Sequence, residues 1–188
     1  MKILRATTED LIKLERTQLD ADASAGSSVS LTVLNNDKLA NTEYIVVGAE
    51  GSESAELCQI NAVVTAGTTV QVATLTRAHK KGEPITKYRY NKRKFYGSTT
   101  ETGSYTELTA YGSPAIIQVD DPQAAILEYT DTTYSYFKAT YYNSTTLEES
   151  AIADAVAFRG DDTGRYCSLY AIRLQAGLTN NPYITDGQ

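Results

Sequence analysis

Residues 31–85 read LTVLNNDKLANTEYIVVGAEGSESAELCQINAVVTAGTTVQVATLTRAHKKGEPI. Short apolar stretches alternate with polar turns at nearly even spacing, the pattern of a small all-β module. Val29, Leu31 and Val33 alternate with polar neighbours, so their side chains share one face of a strand. Tyr44–Val47 is a short apolar strand, broken by Gly48, Gly51 and Ser52. Residues 55–64 carry Leu57, Ile60 and Val63, whose spacing changes parity and implies a bulge. Ala66-Gly67-Thr68 signals a hairpin, after which Val70, Val72 and Leu75 resume the alternation. A polar loop at 77–82 leads through Pro84 to a strand at 85–90. No catalytic cluster lies in this stretch, which favours assembly or binding over chemistry.

Downstream the same texture continues, with strands expected at 93–98, 106–110, 116–119, 133–143 and 155–158. In 133–143, Tyr134, Tyr136, Lys138, Thr140 and Tyr142 share one parity, and Phe137, Ala139 and Tyr141 the other. One face is therefore aromatic and polar, while the mainly apolar face is suited to meet a second sheet. This reads as a β-sandwich with turns every eight to twelve residues.

The ends differ. Upstream, either Leu11, Ile12, Leu14 and Leu19 stripe a short helix capped by Thr8, or Leu4, Lys13, Arg16 and Thr17 belong to an extended lead-in. Downstream, Arg159-Gly160-Asp161-Asp162 is a polar break, and Ser168 can cap a short helix over 169–176 that Gly177 ends. The expected fold is mainly β: two small β domains, the second a sandwich, then a short C-terminal helix and an extended tail. The expected division is 1–28 for a lead-in or docking segment, 29–90 for the small β module, 91–158 for the sandwich and 159–188 for an interaction tail.

Composition narrows the function. Of 188 residues, 41% are hydrophobic, enough for a core, and the net charge is −6 with a pI near 4.8. A nonspecific nucleic-acid binder carries the opposite sign. The basic cluster Lys87, Arg89, Lys92, Arg93 and Lys94, interleaved with Tyr88, Tyr90, Phe95 and Tyr96, reads as a half-exposed strand rather than a single-strand platform. Those four rings are expected to hold the two β domains together. Fourteen tyrosines and no tryptophan suit sheet faces and contact surfaces. Cys58 reads as a small buried residue, and nothing requires a bridge to Cys167. The N-terminal MKILRATTEDLIKL shows neither a secretory signal nor a spanning segment, so the chain is expected in the cytoplasm when made.

Two cysteines and one histidine do not make a metal-site pattern. His79, in RAHKKGE, lacks a nucleophile motif beside it and reads as a loop residue closing a hairpin. The carboxylate runs Glu50, Glu53 and Glu56; Asp120, Asp121 and Asp131; and Asp161 with Asp162 do not fit calcium-loop spacing. Asn143-Ser144-Thr145 matches a glycosylation triplet without a secretory signal, and Arg159-Gly160-Asp161 reads as a boundary turn. No catalytic, cofactor-binding or metal residue is assigned.

Residues 29–90, through Tyr44–Val47 with Gly48, the turn at 51–56 and the hydrophobic–Thr–Arg–Ala–His–x–x–Gly segment at 75–82, resemble a small β module recurrent in tailed-bacteriophage structural proteins. Residues 134–142, 143–146 and 151–156 resemble a fibronectin- or immunoglobulin-like strand pair with its hairpin. Tyr166, Leu169, Ile172, Ala176, Gly177 and Leu178 resemble the opening of a helical head–tail adaptor, without that family's later helices. The resemblance implies a non-enzymatic virion component at the neck or head–tail junction, present in host cytoplasm during assembly. Capsid decoration, a tail or baseplate position, or a carbohydrate-binding module are the alternatives. Expected partners are neighbouring virion proteins (portal, adaptor, capsid or tail) and copies of the chain itself, with no sequence-specific nucleic acid and no membrane. Tyr166, Leu169, Ile172, Leu178, Tyr183 and Ile184 are the candidate interaction residues.

Overall fold

The computed structural model describes residues 1–7, 13–65, 67–120 and 123–162. The protein is mainly β, with no helix of seven or more residues among those described. Its strands are β1 (Lys2–Thr7), β2 (Lys13–Gln18), β3 (Gly26–Thr32), β4 (Tyr44–Val47), β5 (Glu56–Thr65), β6 (Thr69–Leu75) and β7 (Pro84–Tyr88). They continue as β8 (Lys92–Ser98), β9 (Thr106–Glu107), β10 (Ala115–Ile116), β11 (Ala124–Tyr129), β12 (Tyr136–Tyr142) and β13 (Asp161–Asp162).

The first module is an antiparallel sheet in the order β2-β7-β4-β5-β6-β3. Its outer strands meet: Asp20 N–H donates to Thr32 O at 2.9 Å and Leu34 N–H to Gln18 O at 3.1 Å. These bonds close the sheet into a small barrel and leave it no open edge there. Side chains of alternating parity fill it: Leu31, Val33, Ile45, Val47, Cys58, Ile60, Val70, Val72, Leu75 and Ile85. The parity change in β5 is a bulge between Ile60 and Ala62. It bends the strand, so that its first half pairs with β4 and its second with β6. Burial pushes the Cys58 thiol up to about 12, and the nearby Glu56 charge adds to this. In a Cys167→Ser background, Ellman's reagent is expected to leave native Cys58 unmodified at pH 8 and to react fully in denaturant.

The second module packs the sheet β11-β1-β13 against β10-β8-β12, where β9 also pairs with β8. Leu4, Ala6, Phe95, Leu108, Ala125, Leu127, Tyr129, Phe137 and Ala139 form its core. In β12, Phe137 and Ala139 point inward as their parity implied. Gly97 of β8 is needed for close packing: a Cβ there would overlap the Tyr134 ring, which stacks on Tyr129. Gly97→Ala is expected to destabilise the fold by about 1–3 kcal/mol through overpacking, read from urea unfolding.

Several sequence expectations change. Residues 1–28 are not a separate lead-in. β1 is the central strand of a sandwich sheet, β2 is a barrel strand, and β3 begins at Gly26. Of that N-terminal set, Leu14 is extended in β2 and Leu19 bridges Val33, while Thr8, Leu11 and Ile12 lie outside the described residues. The barrel is thus inserted between β1 and the rest of the sandwich, so the sandwich is not the contiguous unit 91–158. Only Thr106–Glu107 of the strand expected at 106–110 is extended, because a 3-10 turn takes over at Thr109–Tyr111. The strand expected at 155–158 is reduced to one bridge between Phe158 and Phe137. β11 was not anticipated. The expected helix at 169–176, Cys167, and Tyr166, Leu169, Ile172, Leu178, Tyr183 and Ile184 lie outside the described residues.

A third cluster joins the modules. Alternate residues of β4 divide between two cores: Ile45 and Val47 face into the barrel, while Tyr44 and Val46 face the junction. There they meet Ala55, Tyr88, Tyr90, Ile117 and Val119. This accounts for an unbroken YIVV run, since a strand buried on both faces has no polar parity.

Candidate functional site

His79 is almost fully buried at one end of the barrel, where its backbone exchanges hydrogen bonds with Ala23 at 2.8 and 2.9 Å. Its Nδ1 lies 2.7 Å from Glu83 Oε2 and its Nε2 lies 2.9 Å from Glu56 Oε1. Burial pushes Glu56 up, but hydrogen bonds from Thr76, His79 and Arg77 outweigh it and hold the carboxyl below the usual range. Burial also raises Glu83, and the bonds from His79 and Lys80 again prevail. The three side chains tie the loop after β6 to the start of β5. This is a structural knot, with no hydroxyl or thiol nucleophile bonded to the ring.

The basic cluster is largely neutralised. Lys87 pairs with Glu43 at 2.6 Å, Lys94 with Glu149 at 3.0 Å and Glu107 at 3.4 Å, and Arg89 with Glu148. Tyr88 and Tyr90 join the two modules, as their position predicted. Phe95 instead fills the sandwich core, and the Tyr96 hydroxyl donates to Glu149 at 2.5 Å.

The glycosylation triplet has a different role. Asn143 is buried and its Nδ2 donates to Arg89 O at 2.7 Å. Ser144 exchanges bonds with Asn91 at 2.9 Å, and Thr145 bonds Tyr44 at 2.8 Å and Gln59 at 2.9 Å. These bonds form a polar seam alongside the apolar junction. Arg159-Gly160-Asp161 is not a presented loop. Gly160 lies against Leu4, where a Cβ would come within 2.5 Å of Cδ2, and Asp161 enters β13.

Of the carboxylate runs, Glu50 pairs with Lys13, and Asp131 accepts the amides of Thr132 and Thr133. Among the described residues no three histidine, cysteine or carboxylate groups converge as a metal would require. Nor is any helix there long and apolar enough to cross a membrane.

A groove of about 590 Å³ lies at the junction of the modules. One wall is Arg5–Thr7 of β1, and the facing wall is the segment Ala151 to Phe158. The floor is Ala139 and Tyr141 of β12 with Arg93 of β8, and Arg89 and Tyr90 stand at one end. Arg93 lies over the Tyr141 ring at 3.7 Å, and its guanidinium donates to Thr7 O and Ala139 O, both at 3.4 Å. The Tyr90 and Tyr141 rings are stacked at 5.7 Å.

No family model, curated protein or solved structure matches this chain.

Of the three arginines of the lining, Arg93 is engaged by Tyr141, Thr7 O and Ala139 O and Arg89 by Glu148, which leaves Arg5 as the exposed one. The groove is poorly equipped for acyl or glycosyl transfer. Ser150 Oγ is engaged by Tyr141 N–H at 2.9 Å, and Asp154 is the one carboxylate residue of the lining. Sugar stacking needs an open ring face, yet Tyr90 is buried and Tyr141 carries Arg93. Arg93 and Tyr141 were visible in sequence only as members of other patterns. Arg5 and Ala6 carried no signal, and Val156 and Phe158 only that of an expected strand, because the groove gathers them from opposite ends of the chain.

Proposed function

We propose that this chain is a non-enzymatic structural component of a tailed-phage virion, assembling with neighbouring virion proteins and copies of itself at the head–tail junction or neck. The sequence resemblances are its starting point. The observation that carries it is the rigid joining of two β modules, through a shared apolar cluster and the Asn143–Thr145 seam. Such a body transmits load and sets the spacing of surface contacts, which assembly requires and catalysis does not. Cryo-electron microscopy of the source particle, focused on the neck, tests the proposal. A symmetric ring containing the barrel–sandwich pair supports it. Density on the capsid exterior or tail tip moves the role to decoration or host contact, and absence from the particle overturns it.

A further inference from the structure

His79 is the single histidine of the chain, and its buried ring faces a carboxylate oxygen from each nitrogen, Glu83 at 2.7 Å and Glu56 at 2.9 Å. A neutral imidazole offers one N–H and one lone pair, and only the doubly protonated ring donates from both sides. Both glutamates are held below the usual carboxylate range, so at neutral pH each is ionised and can only accept. Their other bonds fit this: Glu56 accepts the amides of Thr76 and Arg77 and the Thr76 hydroxyl, and Glu83 accepts the amide of Lys80. The ring is packed against the end of β4, where a Cβ on Gly48 would lie 3.3 Å from its Cε1.

The surrounding charges do not replace the ring as a cation. Lys80 and Lys81 of the same loop are spent on Asp22 and Asp20 in solvent-facing pairs, and Arg77 is exposed. Asp22 adds negative charge near Glu83, and burial keeps Cys58 of β5 a neutral thiol beside Glu56. We infer that His79 is a buried imidazolium shared by Glu56 and Glu83, and that this charge is a proton-dependent latch holding the loop 76–83 to the start of β5. When a ring proton leaves, one nitrogen turns a lone pair toward a carboxylate and that contact fails. Glu83 is the partner released, since it holds fewer bonds than Glu56 and its side chain is 27% exposed against 11%. Its departure frees the Lys80 amide, bonded to Glu83 Oε1 at 2.8 Å, while Glu56 keeps Thr76 and Arg77.

Nitrogen NMR of protein carrying isotope-labelled histidine reads the ring directly, because no other histidine contributes. Two protonated ring nitrogens are expected at about pH 7, where a free histidine side chain is mostly neutral. One bare nitrogen at that pH overturns the proposal. As pH is raised, protection of the Lys80 amide against hydrogen exchange is expected to fall about tenfold in the step where the ring loses its first proton, with the Thr76 and Arg77 amides unchanged. A Lys80 amide that stays protected through that step overturns the latch. A ring that holds both protons until the barrel unfolds supports it. His79→Gln has one donor nitrogen and no charge, so its Lys80 amide is expected to be poorly protected at every pH, without a step. A step that survives in His79→Gln overturns the assignment to this ring.

Discussion

Phe137→Ala is expected to cost about 3–5 kcal/mol, the range for removing a fully buried aromatic ring. Phe137 is inaccessible to solvent and stands at the centre of the sandwich. Tyr129 meets its ring edge-on at 5.2 Å and Phe158 lies at 6.2 Å. Its backbone also exchanges two 2.8 Å hydrogen bonds with Phe158, which holds the chain returning toward β13. Small domains have only about 5–15 kcal/mol in total, so much of the stability would go. Urea unfolding followed by circular dichroism measures the loss. Phe137→Leu keeps most of the volume and is expected to lose less than about 1.5 kcal/mol. Equal effects from the two variants would show that the ring's contacts are not what the site requires.

Glu56→Ala is expected to cost about 1–3 kcal/mol, because it leaves the buried His79 Nε2 without its partner and removes the bonds to the exposed Thr76 and Arg77. Glu56 accepts from Thr76 N at 2.7 Å, Thr76 Oγ1 at 2.6 Å, Arg77 N at 3.0 Å and His79 Nε2 at 2.9 Å. Glu56→Gln keeps one acceptor oxygen and should fall between wild type and alanine. The same knot sets an acid limit. Glu56 and Glu83 both titrate below the ordinary carboxylate range in the folded state. So does Glu149: burial raises it, and bonds from Tyr96, Thr140 and Lys94 overcome that. A depressed folded value means the stabilisation is complete above the unfolded value of about 4.3. It is then lost as pH falls through the lower folded values. The urea midpoint should therefore hold above about pH 5 and decline steadily below it. In Glu56→Ala the decline should be shallower, and an unchanged slope would remove Glu56 from the account.

The barrel was the legible half. Its strands are short and regularly punctuated, so period and turn chemistry were enough to place β3 to β7, although not their order in the sheet. Even the bulge in β5 showed as a change of parity. The sandwich was harder for two physical reasons. AAILEY of β11 opens on two small buried alanines, which provide little contrast with a loop. β1 finds its partner more than a hundred residues away, and local pattern contains nothing about so distant a pairing. The same distance hid the groove, since Arg5 and Val156 become neighbours only after β1 has been placed. Glu56 was visible as one of three spaced carboxylates, but its bond to His79 depends on how the barrel end closes.

The insertion of the barrel into the sandwich also orders events in time. A chain emerging from the ribosome has all its barrel strands once Tyr88 is out, and their pairings need nothing synthesised later. β1, synthesised first, must wait for β11 and then β13, after the barrel has had time to form. Contacts of such long separation form slowly. Until then the hydrophobic Leu4 and Ala6 have no core to enter, and both edges of β1 are open to a neighbouring nascent chain. Synthesis rate and chain crowding, rather than the strength of the finished core, would then decide how much of this protein reaches its native form.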